Sequence, residues 1–152
     1  DSLSVAENIA YPLREHTAMS ERQIRERIME TLRLVGLEGA EDKEPADLSG
    51  GMRKRVALAR AIAMTPRIIL YDEPTTGLDP TNTEKINELI VDMDRKLEVT
   101  SVVVTHDMRS AFKISDRIGL LDMGKIAVVG TPREIERADL PLVRQFINGT
   151  MA

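Results

Sequence analysis

The chain has 152 residues, with 21 Lys and Arg against 25 Asp and Glu, a formal net charge of −4 with histidine neutral. That is one ordinary domain or part of a larger one, and 42% hydrophobic with 30% charged residues excludes disorder, collagen and a coiled-coil rod. The absence of Cys excludes a disulfide framework and thiolate metal sites, and is compatible with a reducing compartment. No apolar run nears the ~18 residues of a membrane-spanning helix, because Arg, Lys, Asp or Glu interrupts every candidate. An acidic balance with only 3% aromatic residues argues against a dedicated nucleic-acid surface, which needs clustered Lys/Arg and stacking rings. The first residue is Asp1 rather than Met, and nothing near it resembles a signal peptide, so the sequence reads as an internal piece of a longer chain.

Ser2 to Tyr11 predicts a short segment with a capping box from Ser4 to Glu7, limited by Pro12. Ser20 and Gln23 open a clearer helix in which Ile24, Ile28, Leu32 and Val35 recur at spacings of three and four, with Gly36 as its stop. Glu38 to Ala46 is polar, holds Gly39 and Pro45, and reads as a loop. After Leu48-Ser49-Gly50-Gly51, Met52 to Met64 predicts a helix with a basic trio at Arg53, Lys54 and Arg55, ended by Pro66.

Ile68 to Tyr71 is an uninterrupted apolar run, the pattern of a strand buried on both faces of a parallel sheet, and Asp72-Glu73-Pro74 places two carboxylates at its carboxyl end. Gly77 to Pro80 predicts a turn, and Thr81 or Asn82 a cap for a long helix whose Ile86, Leu89, Ile90, Met93 and Leu97 share a face. A second buried strand, Ser101 to Thr105, ends at His106. Strand, helix, strand built from apolar runs makes a βαβ unit with a parallel sheet. A short helix near Met108 to Ile114 precedes a hairpin of Ile118 to Leu121 and Ile126 to Val129 joined by Asp122-Met123-Gly124-Lys125. Thr131-Pro132-Arg133-Glu134 is a cap, a proline at the first helical position and a box-closing glutamate, so the tail begins as a helix.

Three places carry candidate chemistry. Ser49-Gly50-Gly51 opens a helix, where unpaired amides and the helix dipole attract an anion such as phosphate, although the same residues also make an ordinary cap. Asp72 and Glu73 sit where an α/β sheet places its ligands. Asp72 suits magnesium, which takes oxygen ligands, and Glu73 could orient or deprotonate a water; a polar turn fixed by Pro74 is the alternative. His106, at the end of the next strand, could hydrogen-bond a phosphate oxygen, or serve the structure alone. His16 lies in a polar loop with no partner and reads as surface.

In this order, the S-G-G helix, the strand with Asp-Glu, the Gly-Leu-Asp turn and the strand with His closely resemble the ATP-binding cassette (ABC) ATPases. Leu48 to Met52 resembles the family signature, Ile68 to Glu73 the Walker B strand, Thr75 to Pro80 the D-loop and His106 the switch histidine, and the likeness runs from Asp1 to about Gly149. Met52 departs from the Gln of many members, and a thioether donates no hydrogen bond. No G-x-x-x-x-G-K-[ST] occurs in the sequence; the family places that loop and the glutamine loop ahead of the stretch present here. Thr76 to Pro80 is of the transporter type. Leu3 to Glu15 and Val143 to Gly149 resemble the Mla-type ATPases, which power phospholipid transport with a membrane permease and an Mce-domain lipid-binding protein.

The resemblance implies an α/β fold, a partial P-loop NTPase with a helical subdomain at residues 1–65, a parallel-sheet, RecA-like core portion at 66–130 and a helical tail at 131–152. It implies a motor subunit that binds ATP and Mg2+, sits on the inner face of the membrane against a permease, and dimerises head to tail with a second copy. Ser49, Gly50 and Gly51 would contact the γ-phosphate on the opposite subunit, Asp72 would hold magnesium, Glu73 would be the catalytic base, His106 would sense the γ-phosphate, and Asp79 would link the two sites. The full-length parent would hydrolyse ATP, and this chain alone would not. The rival readings are a non-transport ABC module acting on a nucleic-acid or ribosomal partner, and a binding half-domain without ATPase activity.

Overall fold

A computed structural model describes residues 3–148; the Asp1 and Ser2 start and the Gly149 end of the resemblance lie outside the described residues. The chain divides into two compact units, Asp1–Val104 and Thr105–Ala152.

The first unit begins with two helices whose starts are written in the sequence. α1 (Val5–His16) and α2 (Glu21–Leu34) carry the reciprocal capping boxes Ser4/Glu7 and Ser20/Gln23, so the side chain and backbone of each cap satisfy one another's orphan donors. The first amides of α1 go to the loop, Val5 N–H to Lys43 O and Ala6 N–H to Glu41 O, both at 2.9 Å. Pro12 does not limit the helix as expected but sits inside it. The lost amide leaves one carbonyl without its helical donor, and burial of Val5, Ile9, Ala10 and Leu13 carries the helix through. Gly36, at φ +65, turns the chain out of α2, and a single 3-10 turn at Pro45–Asp47 leads to α3 (Gly50–Ile62). α1, α2 and α3 pack on one another. Arg27 of α2 donates to Ala63 O at 2.9 Å and Ile62 O at 3.1 Å, capping the carbonyl end of α3.

β1 (Ile68–Asp72), α4 (Pro80–Leu97) and β2 (Thr100–Val104) form the expected βαβ unit. The strands pair in parallel, Leu70 opposite Val102 and Asp72 opposite Val104. The sheet is not buried on both faces: Ile69 and Tyr71 are covered, while Ile68, Leu70, Val102 and Val104 are 61%, 76%, 49% and 59% exposed. The helices of this unit cover one face only, so an apolar run predicts what a strand can bury and not what covers it.

The second unit holds α5 (Met108–Ile114), the antiparallel pair β3 (Ile118–Asp122) and β4 (Lys125–Gly130), α6 (Pro132–Arg137) and α7 (Pro141–Asn148). Met123 and Gly124 both have positive φ, 43° and 75°, the pattern of a type I′ hairpin turn. Leu120 pairs with Val128 and Leu121 with Ile126, leaving Ala127 as a bulge. Thr131 and Glu134 close the capping box of α6, and Ala111, Ile118, Leu120, Ile135 and Val143 make this unit's core.

Candidate functional site

Ser49 caps α3, its Oγ accepting the Met52 amide at 3.3 Å. The hydroxyl is thus engaged as a cap, while the first amides of the helix have no intrahelical acceptor and face outward with the positive end of the dipole. Capping by the Ser49 hydroxyl therefore does not occupy the first amides of the same turn. Gly51 is buried and pressed against the start of α4: a Cβ there would stand 3.2 Å from Asn82 Oδ1, and one on Gly50 would stand 3.6 Å from Leu78 Cδ2.

Asn82 in turn belongs to the cap of α4. The cap is Asp79, not Thr81 or Asn82 as expected, with Pro80 at the first helical position; an Asp-Pro pair is the stronger start signal because Pro needs no donor partner there. Asp79 Oδ1 accepts the Asn82 amide at 3.0 Å, and the Asn82 carboxamide donates to the other oxygen. These bonds, the Asn82 amide foremost and then its side chain, hold the Asp79 carboxyl below its ordinary value.

At the end of β1, Asp72 lies on the exposed face with Ile68 and Leu70. Among the described residues no three His, Cys, Asp or Glu side chains group to hold a metal. A hard carboxylate at this position fits magnesium, which keeps several waters and takes phosphate oxygens. Glu73 leaves the strand with φ +47. Its amide donates to Val104 O at 2.9 Å, and its carbonyl accepts Lys54 Nζ at 3.1 Å and the Thr76 amide at 3.3 Å. Its carboxylate accepts the Thr76 hydroxyl at 2.9 Å. Lys54 and Asp72 are also the charged residues lining a cavity of about 190 Å³ between α3, β1 and α4.

The first unit thus gathers Ser49, Gly50 and Gly51, the Asp72–Glu73 turn and Asp79 through Lys54, Leu78 and Asn82. His106 lies in the second unit, two residues beyond β2, beside Asp107, which caps α5. Burial opposes ionisation of Asp107, but the Ser110 hydroxyl and the amides of Ser110 and Arg109 outweigh it and lower its pKa. The sequence names Lys54, Thr76 and Asn82 only as part of a basic trio, of the D-loop likeness and of a helix start, and not for the contacts they make here. Asp79-Pro80 was a readable signal for the Asn82 contact; nothing in sequence spacing marks the other two.

The family profile described as "ABC transporter" matches residues 1–76, half of the chain. The chain belongs to the ABC transporter family. Within it, the chain is 45% identical over 148 residues to the probable ribonucleotide transport ATP-binding protein mkl of Mycobacterium leprae, covering 97% of this chain and 43% of that protein. It is 43% identical over 136 residues to the methionine import ATP-binding protein MetN 2 of Listeria innocua, covering 90% and 40%. The chain therefore spans about two fifths of the length of these curated relatives. Among solved structures it is similar to the dimeric ATP-binding cassette MJ0796 bound to ADP and Pi, with 38% identity, a TM-score of 0.74 and coverage of 87% of this chain and 58% of that one. It is also similar to cbiO1 of Clostridium perfringens, part of the cbiONQ transporter complex, with 30% identity, a TM-score of 0.81 and coverage of 99% and 62%. These likenesses establish the ABC ATPase fold, and its α/β, partial P-loop NTPase character is as the sequence predicts. No helix among the described residues is long and apolar enough to cross a membrane.

Proposed function

We propose that the chain is part of an ATP-hydrolysing motor subunit of an ABC transporter, in which the α3 start, the Asp72–Glu73 turn and the Asp79 cap form one half of a nucleotide site. The observation that carries this reading is their mutual fixation within one unit: Lys54 of α3 holds the Glu73 carbonyl, and Gly51 of the same helix abuts Asn82, which binds Asp79. On this reading residues 1–65 act as the helical subdomain, 66–130 as the core portion and 131–152 as the tail.

Asp72 presents a carboxylate for Mg2+, which when bound neutralises phosphate charge. Glu73, its carboxylate aimed by Thr76, accepts the proton of the attacking water. The amides of Gly50 and Gly51 and the Ser49 turn bind the γ-phosphate carried by a second copy in a head-to-tail dimer, and Asp79 couples the two halves. His106 senses the γ-phosphate. The motor rests on the inner face of the membrane against a permease, and its closure drives transport.

For cargo we propose a phospholipid, with an Mce-domain protein as a further partner, on the likeness of Leu3 to Glu15 and Val143 to Gly149 to the Mla-type ATPases. The names of the relatives favour a second reading, import of a ribonucleotide or methionine. The test is ATPase activity of the full-length parent with its permease in liposomes. Mg2+-dependent turnover that EDTA abolishes supports the motor reading, and its absence overturns it. Stimulation by phospholipid exchange supports the lipid cargo, whereas stimulation by methionine or a ribonucleotide alone overturns it.

A further inference from the structure

Glu73 is held in a backbone conformation that its side chain disfavours. A non-glycine residue at φ +47 crowds its Cβ against its own carbonyl, and such residues persist only where the surroundings over-determine them. Here the amide is tied to Val104 O of the neighbouring strand and the carbonyl to the Thr76 amide. Both bonds belong to the strand and its turn. Another does not: Lys54, in the second turn of α3 and 19 residues earlier in the chain, donates from Nζ to the Glu73 carbonyl at 3.1 Å. Its stem runs along the cavity wall formed with Ala57, Leu58 and Ile86, so a charged donor is held half-buried where its hydrogen bond is stronger than in water.

The first turn of that same helix carries Ser49, Gly50 and Gly51. One rigid element therefore bears both the amides that would meet phosphate and the cation that pins the residue that would activate water. We propose that Lys54 is a positioning residue, whose ammonium group fixes the register between the Ser49–Gly50–Gly51 helix start and the Glu73 carboxylate. The inference rests on the reading of Glu73 as general base. In this role Lys54 acts through the Glu73 peptide, and Thr76 passes the constraint from the same turn to the carboxylate.

The experiment uses the full-length parent with Lys54→Met, Lys54→Arg, Glu73→Gln and the Lys54→Met/Glu73→Gln pair, reading kcat, KM for ATP and thermal midpoint. Met keeps the apolar stem in the cavity and deletes the donor; if it does not fold, Lys54→Leu takes its place. A misplaced base costs rate rather than affinity, so Lys54→Met is expected to lower kcat roughly 10- to 100-fold with KM changed less than about threefold. Lys54→Arg, which keeps a donor, is expected to restore kcat to within about threefold of wild type. Because the two residues act as one unit, adding Lys54→Met to Glu73→Gln is expected to cost less than about twofold more. A Lys54→Met kcat within about twofold of wild type, a loss carried by KM instead, or a full further loss in the double variant overturns the inference. Wild-type turnover in Glu73→Gln contradicts the base assignment before Lys54 is touched and takes this inference with it, whereas an additive loss on an inactive Glu73→Gln background contradicts the Lys54 inference alone.

Discussion

Gly51 and Asn82 meet at the junction of α3 and α4 so closely that a Cβ on residue 51 would stand 3.2 Å from Asn82 Oδ1 and 3.4 Å from its Cγ. The Asn82 side chain has little room to withdraw, because its carboxamide is bound to Asp79. Alanine would gain up to ~1 kcal/mol of helix propensity over glycine, against ~1–3 kcal/mol for overpacking a fixed contact.

Gly51→Ala is therefore expected to lower the stability of the full-length parent by about 1 kcal/mol, a shift of a few degrees in midpoint, as the difference of those two effects. Asn82→Ala in the same chain should relieve the crowding. Gly50→Ala meets only Leu78 at ordinary contact distance, so its midpoint should hold or rise while ATP turnover falls. Thermal denaturation checks both, and a Gly51→Ala protein at least as stable as wild type contradicts the steric account.

The Asp79 cap gives a pH-dependent prediction. Its folded pKa lies below the ordinary 3.8, chiefly through the Asn82 amide. The stabilisation is then complete above the unfolded value and lost as pH falls through the folded one. Asp79→Ala should lower the midpoint at neutral pH, Asp79→Asn much less because Asn also caps, and the gap between wild type and Asp79→Ala should narrow as the pH drops below ~4. Midpoints measured across that range check the sign; a gap that widens toward acid contradicts it.

How far these contacts could be read beforehand follows from their range. Ser20/Gln23, Thr131/Glu134 and the Met123-Gly124 turn are local chemistry between near neighbours, and all three stand as the sequence predicts. Asp79 is equally local, but Asn82 is also a good cap residue in isolation and competes with it in the sequence. Pro12 shows local preference overridden by burial of Ile9 and Leu13. Lys54 reads only as one of a basic trio because its acceptor lies on another element, and a carbonyl presents itself to a lysine only once the strand has turned at Glu73. The exposure of Leu70 and Val102 was illegible for the complementary reason, since apolarity records what a strand can bury and is silent on what is present to cover it.

That open face has a consequence for the 152-residue chain on its own. Four apolar side chains stand on a two-stranded parallel sheet with both edges unpaired among the described residues, a surface that favours association. Sedimentation velocity is expected to show concentration-dependent self-association that Leu70→Lys weakens. A monodisperse wild-type monomer with a cooperative thermal transition contradicts this.

The central claim is that Glu73, directly after the magnesium-suited Asp72, is the base of an ATPase, and steady-state turnover of the full-length parent carrying Glu73→Gln tests it most directly. An amide of nearly the same shape keeps the packing and the Thr76 contact but takes no proton. The expected result is a ~10²- to 10⁴-fold loss of turnover with ATP binding and ATP-dependent dimerisation retained, whereas Asp72→Asn should weaken productive nucleotide binding as well. A Glu73→Gln protein that keeps more than about a tenth of wild-type turnover contradicts the account, because that loss is smaller than a general base supplies.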